Sequence, residues 1–255
     1  MRKKQCNIIK LHAAVLVLLT GILLPLSTVA GTAPDHGIWD ALLHEFNHQG
    51  RVDYAGLKRE ENRLDAYLGV LAGIDPRSLG RDEQFAFYIN AYNAWTVKLI
   101  LTGYPGVESI KDLGSLLKSP WKKKLVEING EILTLDHIEH DILRPRFKDP
   151  RVHFAVNCAS KSCPVLYGEA FVGRRLHAQL DEATRQFIND GRFNRLEGKT
   201  LYVSSIFKWF KKDFNGDIIG FIERYASPEL KASLIANRKD LKVAYLVYDW
   251  SLNGT

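Results

Sequence analysis

Cysteine is scarce in this chain of 255 residues: there are three, and Cys6 lies within the first thirty residues, so the remainder carries two, Cys158 and Cys163. That excludes a scaffold held by many disulfides and the paired Cys-x-x-Cys sets of structural zinc modules. The phosphate-cradling signatures Gly-x-Gly-x-x-Gly and the Walker loop are missing, and no cofactor is expected. Gly-x-Ser-x-Gly is missing too, which removes a serine-hydrolase elbow. There is no repeat of 20–50 residues and no low-complexity tract.

An excess of one charge sign is also lacking once the N-terminal segment is set aside. The whole chain has 35 basic and 29 acidic groups, formally +6. Four of the basic groups, Arg2, Lys3, Lys4 and Lys10, fall in the first thirty residues with no acidic one, which leaves 31 against 29. A nucleic-acid partner is therefore not expected, despite the basic isoelectric point. Those four charges form the n-region of a secretory signal peptide. Residues 13–26 are its apolar core, and Thr28, Val29 and Ala30 are its small closing residues, with Ala33 a second cleavage candidate. The apolar core is short and broken by Pro25, so it is not a membrane span, and no later stretch is long enough to be one. The expectation is an exported, periplasmic or secreted protein with a leader over 1–30 and one domain over 31–255.

Apolar spacing predicts helices over 38–46, 59–71 and 82–101, the last apolar nearly all round and so central. Residues 125–128 and 131–133 flank Asn129-Gly130, a hairpin signal. Thr134 caps a helix over 135–143 that Pro145 stops. Residues 151–157 read as a short strand running into the cysteine loop. Helices follow over 173–188, 205–214 and 218–225, with a short strand over 200–203 and a long alternating terminal strand over 242–250. The class is α+β, helix-rich, with a small antiparallel sheet.

Three groups carry chemistry. Asn90 and Asn93 sit within the apolar helix, where an unpartnered amide costs about 1–3 kcal/mol. They either bond the backbone of a packed loop or orient a catalytic group. In the helix over 135–143, Glu139 projects beside the buried face, and Asp136 and His140 are four apart, the spacing by which a carboxylate sets an imidazole tautomer. Ordinary surface pairs, Asp136 with His140 and His137 with Asp141, are the alternative. Cys158 and Cys163 have three readings: a short disulfide loop; a reactive Cys158 helped by Lys161 and the loop N–H groups around Asn157 and Ala159; or metal ligands with two of His137, His140 and His153. The C-x4-C spacing is wider than a zinc knuckle's, so no metal is expected.

Four segments in order, FAFYINAYNA (85–94), LDHIEHDILR (135–144), DPRVHFAVNCASKSCP (149–164) and YDWSLN (248–253), resemble the DUF547 family of bacteria and plants. The resemblance implies a single α+β domain arranged like the papain-like cysteine hydrolases. It places the nucleophile on Cys158 and the base on His140, with Asn90 or Asn93 and the carboxylates of Asp136 and Glu139 as supports. Histidine before cysteine reverses the papain-like order and requires a permuted chain. The expected activity is that of an exported thiol hydrolase, acyl transferase or cysteine peptidase acting on a peptide or other acyl substrate. The alternative is a binding scaffold whose Cys158–Cys163 disulfide stiffens a loop.

Overall fold

The chain is described here by a computed structural model over residues 33–115 and 118–254. The expected leader, residues 1–30, lies outside the described residues. No helix among the described residues is long and apolar enough to cross a membrane.

α1 (Gly37–Phe46) leads into a two-stranded ribbon, β1 (Asn47–His48) with β2 (Arg51–Val52), and then into α2 (Tyr54–Arg59) and α3 (Glu61–Ala72). Asp53 caps α2 by accepting from Gly56 N. Around these elements the fold is built on α4 (Arg81–Leu101), 15 of whose 21 residues are buried. Asp82 and Glu83 occupy its first turn, where the helix dipole favours carboxylates. One apolar cluster surrounds it, drawing Trp39, Leu64, Tyr67 and Leu71 from the preceding helices and Leu135, Ile138 and Leu143 from the segment that follows the hairpin.

That hairpin, β3 (Val126–Ile128) with β4 (Glu131–Leu133), turns through Asn129 and Gly130, both at positive φ as a two-residue hairpin turn requires. Thr134 Oγ1 accepts from His137 N and caps α5 (Leu135–His137). The helix does not stop at Pro145. It widens into a π-helix, Ile138–Phe147, with Pro145 inside, and ends at Lys148 in the left-handed region. Tertiary packing draws it past the proline: Phe147 stacks on Phe85 at 4.3 Å, and Arg81 donates to the Phe147 carbonyl.

The expected strand before Cys158 is instead a helical turn, α6 (Val152–Ala155). Asp149 accepts from Arg151 N and Pro150 sits at its start, a helix-opening combination that the apolar run masked. Phe154 enters a second, phenylalanine-rich cluster formed with α7 (Leu176–Ile188), α8 (Ile206–Trp209) and α9 (Ile218–Tyr225). Here β6 (Thr200–Val203) pairs antiparallel with β5 (Asn194–Glu197) and parallel with β7 (Lys242–Tyr245). The terminal strand is shorter than the alternation predicts, and residues 205–214 are helical only across α8. The two differences have one cause: β6 gives way to α8, so residues 247–250 have no strand to pair with and cross the cysteine loop instead. α10 (Pro228–Asn237) carries no apolar face in the sequence, since Leu234 is its only buried residue, although Ser227 caps it and Pro228 opens it. The architecture is an α+β domain, helix-rich with small sheets.

Candidate active site

The cysteine loop is fixed from below by α4. Asn93 Nδ2 donates to the Ala155 carbonyl at 2.9 Å, and its Oδ1 accepts from Asn157 N at 2.8 Å. Asn90 grips Phe171 in the same two-handed way, 2.7 Å to its carbonyl and 2.9 Å from its N–H. Both amides thus bond the backbone of packed loops, and neither reaches the pocket described below. Asn157 then ties the loop to itself, donating to the Pro164 carbonyl at 2.7 Å and accepting from Ala159 N at 2.9 Å. Ala159, fully buried, turns at φ 61°, a left-handed conformation held by these bonds.

From above, the C-terminal strap closes the loop. Lys161 N donates to Ser251 O, Ser162 N to Asp249 O and Asn253 N to Ala159 O. Cys158 N donates to Cys163 Sγ at 2.9 Å and Cys163 N to Ser160 O. The N–H groups of residues 158, 159, 161, 162 and 163 are thereby committed within the loop and its strap. Asn157 and Ala159 act as loop supports, and the Lys161 side chain points to solvent.

Cys158 Sγ meets two hydroxyls, Tyr248 at 3.2 Å and Ser160 at 3.3 Å, and Ser160 Oγ donates to Tyr248 at 3.1 Å. Hydroxyl hydrogens rotate, so both can turn toward a thiolate. The two thiols are free, and they differ in kind. The hydrogen bond with Cys163, followed by those from Ser160 and Tyr248, holds Cys158 below the ordinary thiol value against burial and the nearby Glu139 charge. Burial pushes Cys163 well up. Tyr248, itself pushed up by burial, remains a donor.

Cys158 opens into a cavity of about 210 Å³ whose walls also include Glu139, His140, Asp136 and Tyr92, with an aromatic side formed by Trp121, Trp209, Phe210 and Trp250. The thiol, both carboxylates and the imidazole named from sequence therefore share one pocket. A larger cleft of about 700 Å³ beside α1 and α7 holds none of them and is not the site.

Within the pocket the partners differ from the spacing argument. Arg144 Nη1 lies 2.8 Å from His140 Nδ1, and Asp136 lies 3.9 Å from Nε2. A guanidinium only donates, so Nδ1 accepts and the ring proton sits on Nε2. His140 makes no hydrogen bond to Cys158. Arg144 is in turn held by Asp213, which also receives His153 Nε2 at 2.8 Å. These two partners, His153 first, hold Asp213 well below the usual carboxylate range. Glu139 Oε2 accepts from Tyr92 at 3.0 Å, and burial pushes Tyr92 well above its ordinary value. His137 pairs with Asp141 at 2.9 Å. With these side chains bound elsewhere, no group of three or more His, Cys, Asp or Glu able to hold a metal is found among the described residues.

Tyr248, Ser160, Arg144, Asp213 and the three tryptophans carry as much of this site as the residues singled out from sequence. The signal for Tyr248 and Trp250 was in the YDWSLN segment, which the resemblance covered without giving it a role. Nothing in the sequence pointed to Asp213, which reaches Arg144 only through the fold.

No curated protein and no solved structure matches the chain. Residues 76–188, which span α4, the π-helix and the cysteine loop, match the family described as "Protein of unknown function, DUF547".

Proposed function

We propose that this protein is a thiol-dependent hydrolase or acyl transferase with Cys158 as its nucleophile. The observation that carries the reading is the position of Cys158. Its thiol is held low by hydrogen bonds and opens into a small pocket shared with Glu139 and His140. A thiol that ionises readily and faces a cavity is the nucleophile type of acyl transfer.

In this reading Glu139, and not His140, moves the proton. His140 already carries its proton on Nε2, and its other nitrogen is occupied by Arg144, so it serves as a hydrogen-bond donor. The Cys158 S–H proton passes to the Glu139 carboxylate as sulfur adds to the substrate carbonyl. The resulting oxyanion is held by His140 Nε2–H and the Tyr248 hydroxyl, since the N–H groups of Cys158 and Ala159 are committed within the loop. Collapse breaks the bond to the leaving amine or alcohol, which takes the proton back from Glu139. Water, or an acceptor nucleophile, then gives its proton to Glu139, attacks the thioester and expels the Cys158 sulfur, which takes that proton back from Glu139 and restores the thiol. The papain-like arrangement that the DUF547 resemblance implies is in keeping with this reaction class, and export through the expected leader would place it in the periplasm or outside the cell.

The test is the intact mass of protein mixed with an activated ester. One acyl group on Cys158 is expected, absent from Cys158→Ala and formed more slowly in Cys163→Ala, which removes the first of the hydrogen bonds that hold the thiol low. Absence of any Cys158 adduct would refute the proposal.

A further inference from the structure

Three surface segments meet at one aromatic ring, and each brings lysine with it. Trp250 packs against Trp121 at 5.8 Å, against Trp209 at 5.8 Å and against Tyr248 at 4.5 Å, so it joins the strap to the turn Pro120–Lys122 and to α8. Lys111, on the turn Ile110–Leu113, places Nζ 3.8 Å from the Trp250 ring centre. Lys118 and Lys122 flank Ser119 and Trp121, both of which line the Cys158 pocket. Lys208 and Lys211 flank Trp209 and Phe210, which line it as well.

None of these five lysines is held in an ion pair among the described residues, which include every Asp and Glu of the chain. The nearest carboxylate on the Lys111 turn, Asp112, is bonded to the Glu108 and Ser109 N–H groups. Ion-paired lysines do occur elsewhere in the fold, at Lys58, Lys98 and Lys199. Asp249, the acidic residue of the strap, is turned into Ser251. The pocket's own carboxylates, Asp136 and Glu139, belong to the helical wall and are engaged with His140 and Tyr92. The chain as a whole is close to neutral after residue 30, so this concentration of charge is local.

The pocket is small beside the usual range of about 300–1,000 Å³ for ligand sites, so it takes one side-chain-sized group and leaves the rest of a ligand at the mouth. Its aromatic side suits an apolar group. Glu139 and Asp136 repel negative charge inside, and the lysines attract it outside.

We propose that the substrate is an amphiphilic anion: an acyl compound whose apolar group enters the aromatic pocket and whose carboxylate or phosphate rests on Lys111, Lys118 and Lys122. This rests on the acyl-transfer reading for the bond that is cleaved, but its recognition step does not need Cys158 to react.

The test is a titration followed by tryptophan fluorescence, with octanoate, octanol and octyltrimethylammonium as probes. At low salt, octanoate is expected to bind at least about threefold more tightly than octanol, and the cation more weakly than either. The advantage should vanish at about 0.5 M salt, where screening reaches within about 4 Å, and in the double variant Lys111→Gln/Lys122→Gln. It should persist in Lys199→Gln, remote from the pocket, and in Cys158→Ala, which separates recognition from thiol chemistry. Equal binding of octanoate and octanol would overturn the proposal. So would an advantage indifferent to salt and to the two lysines, or no response to any probe.

Discussion

Asn93 holds the chain on both sides of Val156, with its amide nitrogen on the Ala155 carbonyl and its amide oxygen on the Asn157 N–H. One buried side chain of the central helix thereby sets the path by which the backbone reaches Cys158. Asn93→Leu leaves a buried carbonyl and a buried N–H unpartnered, a destabilisation of about 1–3 kcal/mol for each group. Asn90→Leu should cost a similar amount of stability. Only Asn93→Leu should also slow alkylation of Cys158, because Asn90 grips Phe171, away from the pocket. Thermal unfolding and iodoacetamide rates on the two variants check this, and equal effects on thiol reactivity would show that the loop path does not depend on Asn93.

The ionisation of Cys158 rests on its neighbours in the loop and strap. Its alkylation rate should rise with pH through a midpoint below the ordinary thiol pKa of about 8.5, with Cys163 unreactive over the same range. Tyr248→Phe and Ser160→Ala each remove a donor to the thiolate and should shift the midpoint upward. His140→Ala should shift it less than either, since no hydrogen bond links the two residues. A larger shift for His140→Ala than for Tyr248→Phe would restore the imidazole as the thiol's partner.

Glu139 is tied to Tyr92, which is buried and has this carboxylate as its hydroxyl acceptor. Glu139→Gln keeps an acceptor and should preserve stability while abolishing acyl transfer. Glu139→Leu should lose both, with a stability cost of about 1–3 kcal/mol for the stranded hydroxyl. Full turnover by Glu139→Gln would remove the carboxylate from the proton path.

Away from the site, His36 gives the fold a defined acid response. It is buried with Nδ1 2.7 Å from Tyr67 Oη, and burial pushes its pKa down to about 4, against the weaker pull of Asp35 and Asp40. The unfolded chain therefore binds a proton that the folded one refuses. Stability from this source is full above the unfolded value near 6.5, falls as pH drops toward 4 and is level below it, a loss of at most about 3 kcal/mol. His36→Gln should flatten this part of the stability–pH curve. An unchanged slope between pH 4 and 6.5 would assign the acid sensitivity to other groups.

Periodicity made the framework legible where one physical signal dominated. The apolar α4, the Asn129-Gly130 turn and the Thr134 cap all follow from local chemistry. Local chemistry failed where distant contacts decide. Phe147 stacking on Phe85 carries a helix through Pro145, and the end of β6 at Val203 frees residues 247–250 to cross the cysteine loop. The candidate site followed the same division. Cys158, Glu139, His140 and Asp136 could be named because their residue types and spacing imply chemistry. The tautomer of His140 could not be read, because Arg144 fixes it and Asp213, far along the chain, holds Arg144. The hydroxyl partners of Cys158 were hidden likewise, since Tyr248 arrives from the other end of the sequence.

The central claim is that Cys158 forms a thioester with its substrate. Rapid mixing with p-nitrophenyl octanoate measures it most directly. A burst of nitrophenolate equal to one per chain is expected, followed by slower turnover, with the burst abolished in Cys158→Ala and slowed, with its amplitude kept, in Cys163→Ala. Nitrophenolate release without a burst, or a burst that survives Cys158→Ala, would contradict the account.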